Sequence, residues 1–190
     1  MRAAAALVAV AVGLAACGGD DASDAGEAAD AAPATTAPLP RAVDELFRRF
    51  EAINERPGFY DDVNRSLAEL RPGDRALYVL WAVDGEINNG GFSQYLSNST
   101  AELHDEAVAS AEGIGAKKTA ALLRRLPRVL GVARVSADRG ERQRLLDGLT
   151  DEQLAELRRL DEEWYAGISA EIEAGLVEYL RAHPEAFSPQ

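Results

Sequence analysis

The chain has 190 residues, and its 20 lysine and arginine residues against 32 aspartate and glutamate residues give a formal net charge of −12 at pH 7. This balance argues against nucleic-acid binding, because affinity for phosphates requires a net basic surface. The single cysteine, Cys17, excludes a disulfide within the chain, and the length allows one domain of ordinary size besides terminal segments.

The first seventeen residues have the order typical of a bacterial lipoprotein signal peptide. Arg2 supplies a positive charge, residues 3–14 are apolar, and two alanines precede Cys17. The apolar run is shorter than the roughly 20 residues that span a bilayer. We therefore expect residues 1–16 to be removed and Cys17 to be lipidated, which places the protein in the cell envelope outside the cytoplasm, with the membrane as a partner. The alternative is an ordinary secreted protein in which the cysteine is incidental.

A second segment, residues 17–40, begins at the lipidated cysteine and continues as an acidic tether rich in alanine and proline. It has no aromatic residue, and Leu39 is its only large aliphatic side chain. Such a composition cannot bury enough apolar surface to offset the entropy of ordering. We expect a disordered spacer between the membrane and the domain that follows.

The remaining residues, 41–190, are predicted to form a single compact all-α domain of several helices. Apolar residues recur at three- and four-residue intervals nearly throughout this range, which is the helical spacing. No stretch alternates apolar and polar residues over the length of a strand, and no internal repeat is present. In chain order, helices are predicted over residues 43–53, near 67–70, over 76–83, from 99 towards 113, over 116–126, over 136–146, and along the stretch from 150 to 179.

Residues 76–83, with the sequence Ala-Leu-Tyr-Val-Leu-Trp-Ala-Val, are apolar on all sides. This pattern predicts a buried central helix, for which Asp74 is placed to act as the cap. A buried strand is the alternative for so short a run. Only two of the eight residues are β-branched, which favours the helix.

Other helix ends are marked by local signals. Residues 99–102, Ser-Thr-Ala-Glu, and residues 150–153, Thr-Asp-Glu-Gln, both have the pattern of a capping box that opens a helix. Pro57 and Pro127 are expected to lie just beyond the ends of two other helices.

Charges are segregated along the domain, which holds 27 acidic and 19 basic side chains. Basic residues dominate residues 116–144, and acidic residues dominate 150–182. Such blocks can pair within the fold or across a dimer, or lie apart on solvated faces. We expect solvated faces with weak internal pairing, because exposed ion pairs contribute little.

The densest group of special residues lies between Asp84 and Asn98. Asn88 or Asn89 can cap a helix, and the two glycines after them allow a tight turn or a close approach. In a helix that begins there, the apolar side chains fall on one face and the polar ones on the other. The candidate residues of this block are Glu86, Asn88, Asn89, Gly90, Gly91, Phe92, Gln94, Tyr95 and Asn98.

Two interpretations of this block remain open. In the structural one, its carboxylate and amides satisfy backbone groups where two helices join. In the functional one, the same groups line a shallow pocket for a small polar ligand or a peptide. The glycine pair is not a phosphate-binding loop, because it lacks the Walker spacing and its lysine.

The run Glu-Ile-Asn-Asn-Gly-Gly-Phe-Ser-Gln-Tyr at residues 86–95, the following Asn98-Ser99, and the later Ile114-Gly115-Ala116 resemble the domain family of unknown function number 4375, also called the DNA-mimic protein family. The similarity extends from about Val43 to Tyr179. The resemblance implies a helical, dimer-forming domain. It also implies an acidic protein that imitates the charge of DNA and occupies the DNA-binding surface of a transcription factor.

The residues themselves do not indicate catalysis. After Cys17 the chain has no thiol. His104 and His183 stand in polar surroundings, where they are expected on the surface, and they lack the spacing of metal ligands. We therefore expect no metal, no cofactor and no enzymatic activity. A hydrolase that uses two carboxylates as acid and base is an alternative.

The sequence thus favours a lipid-anchored envelope protein with a non-catalytic helical interaction domain. Its partner is an unidentified protein or small polar ligand, bound through residues 86–98. The alternative is an acidic inhibitor of the DNA-mimic type that masks a basic surface of another protein.

Overall fold

The computed structural model describes residues 39–189, with side chains from Arg41 onward; the predicted signal peptide, Cys17 and almost all of the tether lie outside this range. The eight α-helices are α1 (Leu39–Asn54), α2 (Val63–Ala68), α3 (Pro72–Ser97), α4 (His104–Gly113), α5 (Lys117–Leu130), α6 (Arg139–Asp147), α7 (Asp151–Tyr165) and α8 (Ile168–Ala182). Short 3-10 turns are formed by Phe59–Asp61, Ser99–Leu103 and Pro184–Ala186. The described residues contain no strand, so the all-α prediction is confirmed.

Helix α3 lies at the centre of the domain, where it packs against α1, α4, α6, α7 and α8. Its first half contains Leu77, Val79, Leu80 and Val83, all with no exposed surface. The prediction of a buried helix, and not a strand, is confirmed for this segment. Because α3 is covered on most sides, its few polar groups must find partners on the neighbouring helices.

Helix α5 packs against α4, α7 and α8, and its first turn is capped from α8. Glu171 accepts hydrogen bonds from the backbone N–H groups of Lys118 at 3.0 Å and Thr119 at 2.8 Å. Burial acts to raise the pKa of Glu171, but the hydrogen bonds from Thr119 and Lys118 prevail and lower it. A helix N-terminus stabilises a carboxylate in this way because its first N–H groups have no partner within the helix.

Several helix ends differ from the prediction. The capping box at Thr150 is confirmed: its hydroxyl accepts from the Gln153 N–H at 3.3 Å, and the Gln153 side chain accepts from the Thr150 N–H at 3.0 Å. The prediction of a capping box at Ser99 is wrong. Ser99–Leu103 is a 3-10 turn, and α4 begins at His104 without a side-chain cap. The predicted helix over 150–179 is two helices, separated at Gly167, which has a φ of 140°.

Asp74 is not the cap of α3, because the helix begins at Pro72, two residues earlier. The buried Asp74 carboxylate accepts a hydrogen bond from the Ser188 N–H at 2.8 Å. The Phe187 ring packs so closely on Gly73 that a Cβ atom there would lie 2.5 Å from it. The C-terminal residues are therefore fastened across the start of α3.

Pro127 lies inside α5, which continues to Leu130 and ends at Gly131 in a left-handed conformation. A proline within a helix leaves the carbonyl four residues earlier without its usual N–H partner. That carbonyl belongs to Leu123, whose backbone lies near enough to His104 to raise the pKa of the ring against the effect of burial. His104 was expected on the surface, but only 3% of it is exposed. The prediction failed because a tertiary contact gives this polar ring a buried partner.

The charge blocks meet where α5 packs on α7. Arg125 lies 2.6 Å from Glu163 and 3.3 Å from Glu156. The basic and acidic segments therefore pair within the fold at this point. None of the helices in the described part of the chain is long and apolar enough to cross a membrane.

Candidate functional site

The candidate block lies where α3 is broken. Gly90 has φ −165° and ψ 26°, and Gly91 has φ 69° and ψ −173°, so neither continues the helix. A break of this kind leaves carbonyl groups on one side and N–H groups on the other without helical partners. Since the break is packed against other helices, these groups need new partners.

Helix α7 supplies the new partners. The Asp161 carboxylate accepts a hydrogen bond from the Phe92 N–H at 2.7 Å, and the Tyr165 hydroxyl donates to the Ile87 carbonyl at 3.1 Å. Asp161 thus caps the second half of α3, so the prediction of Asn88 or Asn89 as its cap is wrong. A Cβ atom on Gly91 would lie only 2.7 Å from Asp161 Oδ1. Both the left-handed φ and this close approach require glycine at position 91.

Before the break, Asp84 collects three donors from three helices. Its Oδ1 atom accepts hydrogen bonds from Trp164 Nε1 at 2.8 Å, Ser169 Oγ at 2.7 Å and Asn88 Nδ2 at 2.8 Å. Burial raises the pKa of the Asp84 carboxyl, and these three hydrogen bonds oppose the rise. The Asn88 side chain is thereby held between α3 and α8, where it also lies 3.0 Å from Ser169 Oγ.

A second carboxylate links the two halves of α3. Glu86 Oε2 accepts from Gln94 Nε2 at 3.0 Å and from Asn98 Nδ2 at 2.7 Å. The Gln94 side chain lies so close to Gly90 that a Cβ atom there would clash with its Oε1, although Gly90 remains exposed on its other side. These three side chains therefore fix the angle of the break.

After the break, the apolar and polar faces are as predicted: Phe92, Tyr95 and Leu96 are buried and Ser93 is exposed. Phe92 meets Trp164 edge to face with the ring centroids 5.6 Å apart. The Tyr95 hydroxyl lies 3.2 Å from His104 Nδ1. Burial raises the pKa of Tyr95 and lowers that of His104 to about 4, so both groups are neutral at physiological pH.

Arg142 holds the end of α3 and was not among the candidate residues. Only 1% of it is exposed, and its guanidinium donates to the carbonyls of Leu96 at 2.8 Å and Asn98 at 2.7 Å. It also donates to the carbonyls of Ser136 and Ala137. A cation at the carboxyl end of a helix is stabilised by the helix dipole. The sequence carried no signal for this role, because Arg142 is one of many arginines between residues 116 and 144.

Two side chains of this region keep their hydrogen-bonding capacity. Asn89 and Ser93 are exposed on either side of the exposed Gly90, and neither side chain bonds to another described residue. We call Asn89, Gly90 and Ser93 the ledge. A cleft of about 280 Å³ opens at the end of α3, but of residues 84–98 only Leu96 lines it. The ledge is thus a surface feature.

The described residues contain no group of three or more histidine, cysteine, aspartate or glutamate side chains arranged to hold a metal ion. The carboxylates of Asp84, Glu86 and Asp161 accept hydrogen bonds from the donors named above.

These features define an all-α domain whose central helix is broken at a glycine pair and held by α7. Comparison with known families matches residues 68–183 to the DMP19-like proteins. Because this match covers more than half of the chain, the protein belongs to the DMP19-like family. The resemblance to the DNA-mimic family is thus confirmed as family membership. The matched region includes the entire candidate block, residues 84–98. Comparisons with curated proteins and with solved structures found no match.

Proposed function

We propose that this protein is a lipid-anchored module of the cell envelope, outside the cytoplasm, that binds a partner protein through the ledge. The observation that carries the proposal is the contrast between the ledge and its surroundings. Every carboxylate around the break is engaged inside the fold, whereas Asn89 and Ser93 point unused hydrogen-bonding groups to solvent.

A rigid ledge suits recognition better than catalysis. The break in α3 is fixed by Asp161, Tyr165 and the Glu86 carboxylate, so little conformational entropy remains to be lost when a partner binds. The Asn89 amide offers two donors and an acceptor, which favours the backbone of a polypeptide as its partner. The nearby carboxylates have donors of their own, which supports a non-catalytic role.

The anchor rests on the sequence around Cys17. Cys17→Ser removes the thiol that would carry the lipid, so we expect the variant to leave the membrane fraction and appear in the soluble envelope or culture fraction. The measurement is fractionation followed by immunoblotting. A variant that sediments with the membrane as the wild type does would contradict the anchor.

The ledge is tested by photo-crosslinking in the cell. A photoreactive amino acid at position 89 should form a covalent adduct with a partner protein, because this side chain would lie in the interface. The same substitution at Ala121, an exposed residue of α5, is the matched control and should form none. Equal labelling at both positions, or no labelling at position 89, counts against the ledge. The measurement is the mass of the adducts on a denaturing gel.

The second candidate is an acidic protein that masks a basic surface of a partner. Membership of the DMP19-like family and the excess of acidic side chains in residues 41–190 favour it. The pairing of Arg125 with Glu156 and Glu163 opposes it, because it neutralises part of the acidic surface. Salt separates the two candidates: adducts at the ledge should persist at high ionic strength, whereas complexes held by charge mimicry should dissociate.

A further inference from the structure

A row of aromatic side chains runs along the contact between α1 and the first half of α3. Neighbouring ring centroids lie 6.3 Å apart for Phe47 and Trp81, 5.3 Å for Trp81 and Phe50, and 5.8 Å for Phe50 and Tyr78. The row continues through Phe59 to Tyr60. We call Phe47, Phe50 and Trp81 the aromatic face; Tyr60 lies at the other end of the row, beyond the buried rings of Tyr78 and Phe59.

The row of rings is exposed to solvent at both of its ends. Phe47 is 48% exposed and Tyr60 is 64% exposed, while Phe50 and Trp81 are partly buried. The inner members of the row stabilise the packing of α1 on α3. The exposed part of Phe47 contributes nothing to that packing, and a phenylalanine on a helix surface is costly to leave in water.

The charge around this face differs from the rest of the domain. Residues 41–60 contain four arginines and four acidic residues, so they carry no net charge, and the excess of acidic groups lies in the rest of the domain. An anionic surface would therefore repel the acidic remainder of the domain, but neither this segment nor the basic residues 116–144.

The face also lies beside the point where the tether joins. Helix α1 begins at Leu39, and Phe47 lies about 12 Å along it from that residue. The 21 residues between Cys17 and Leu39 limit the distance from the lipidated cysteine to the start of α1 to roughly 80 Å. A lipid on Cys17 would thus hold this end of the domain within that distance of the membrane surface. Residues 39–60 lie outside the part of the chain that matches the family.

We propose that the aromatic face docks on the lipid surface to which the tether is anchored, with Phe47 and the edge of Trp81 entering the interfacial layer. The proposal rests on the lipid anchor of the proposed function. The indole of Trp81 combines an apolar body with a polar N–H, which favours that layer, and Phe47 adds apolar surface. The docking is weak by itself, but the tether confines the domain near the membrane and raises its effective concentration there.

The test uses Cys17 as the only thiol in the chain. Residues 39–189 belong to one compact unit with its own core, so the chain from Cys17 onward can be coupled through that thiol to a maleimide lipid in phosphatidylcholine vesicles. Tryptophan emission is compared between vesicles with brominated and with ordinary acyl chains. Trp81 is the reporter, because Trp164 has no exposed surface.

We expect brominated lipid to quench the emission of the wild-type chain, and Trp81→Phe to abolish the quenching. Burial of the exposed half of a phenylalanine favours the docked state by a factor on the order of ten or more. Phe47→Ser should therefore lose most of the quenching at only a modest cost in thermal stability, because about half of the ring is buried against its neighbours. The control is Ala121→Ser, which changes an exposed residue of α5 outside the aromatic face and should leave the quenching unchanged.

The absence of quenching in the wild type, or equal quenching in Phe47→Ser, would overturn the proposal. So would an emission change that depends on protein density and occurs without bromine, because that result would assign the face to a second copy of the chain. The chemical link replaces cellular lipidation. Failure of docking is therefore distinguishable from failure of the anchor, which is measured separately by the fractionation of Cys17→Ser.

Discussion

His104 shows how a single residue acquires its role from tertiary contacts. The ring lies between the Tyr95 hydroxyl, 3.2 Å from Nδ1, and the backbone of Leu123. It thereby joins the second half of α3 to α5 at the carbonyl that Pro127 leaves without a helical partner.

The buried ring predicts a pH dependence of stability. Burial lowers the pKa of His104 from 6.5 to about 4, so below pH 6.5 the unfolded chain takes up a proton that the folded chain does not. The contribution of His104 is therefore complete above pH 6.5 and declines as the pH falls towards 4. The total loss is about 3 kcal/mol. The measurement is the free energy of unfolding in urea across this range.

A comparison of variants isolates this effect from the carboxylates, which titrate in the same range. His104→Gln should be less stable than the wild type above pH 6.5, and the difference should shrink as the pH falls towards 4. His183→Gln, which changes an exposed ring, should follow the wild type at every pH. A constant difference between His104→Gln and the wild type would contradict the assignment.

At the scale of elements, α3 and α7 form a unit, because the break in one is completed by side chains of the other. Asp161 and Tyr165 occupy the positions that helical backbone groups would otherwise fill. The sequence indicated a junction at the glycine pair. It did not indicate that the cap would come from a residue about 70 positions later, since capping rules consider only neighbours in the chain.

Two glycines in α3 provide a matched test of this unit. Gly85→Ala should stabilise the protein by about 0.5–1 kcal/mol, because position 85 is helical and exposed and a Cβ atom there meets nothing within 4 Å. Gly91→Ala should destabilise it by about 2–4 kcal/mol. The added Cβ meets the Asp161 carboxylate in a left-handed backbone, and displacement of that carboxylate leaves the Phe92 N–H unpaired. Urea unfolding of both variants measures the difference, and equal effects would refute the account of the break.

At the scale of the whole molecule, some of the segregated charges pair within the fold and the others remain on the surface. The expected weak internal pairing is found where the partly exposed Arg125 meets two acids of α7. Arg142 differs from the expectation, because it is buried among four carbonyls and holds the end of α3. The remaining acidic excess is a property of the surface, which any electrostatic partner would meet.

The sequence by itself determined the all-α class, the central position of residues 76–83, the capping box at Thr150 and the apolar and polar faces after the glycine pair. These are local properties, since helical periodicity and capping depend on residues within one or two turns. Tertiary structure decided the partners of Asp74, Asp84, Asp161, His104 and Arg142. The reason is physical: a buried polar group must pair, and its partner is whichever group the packing of the helices brings within reach.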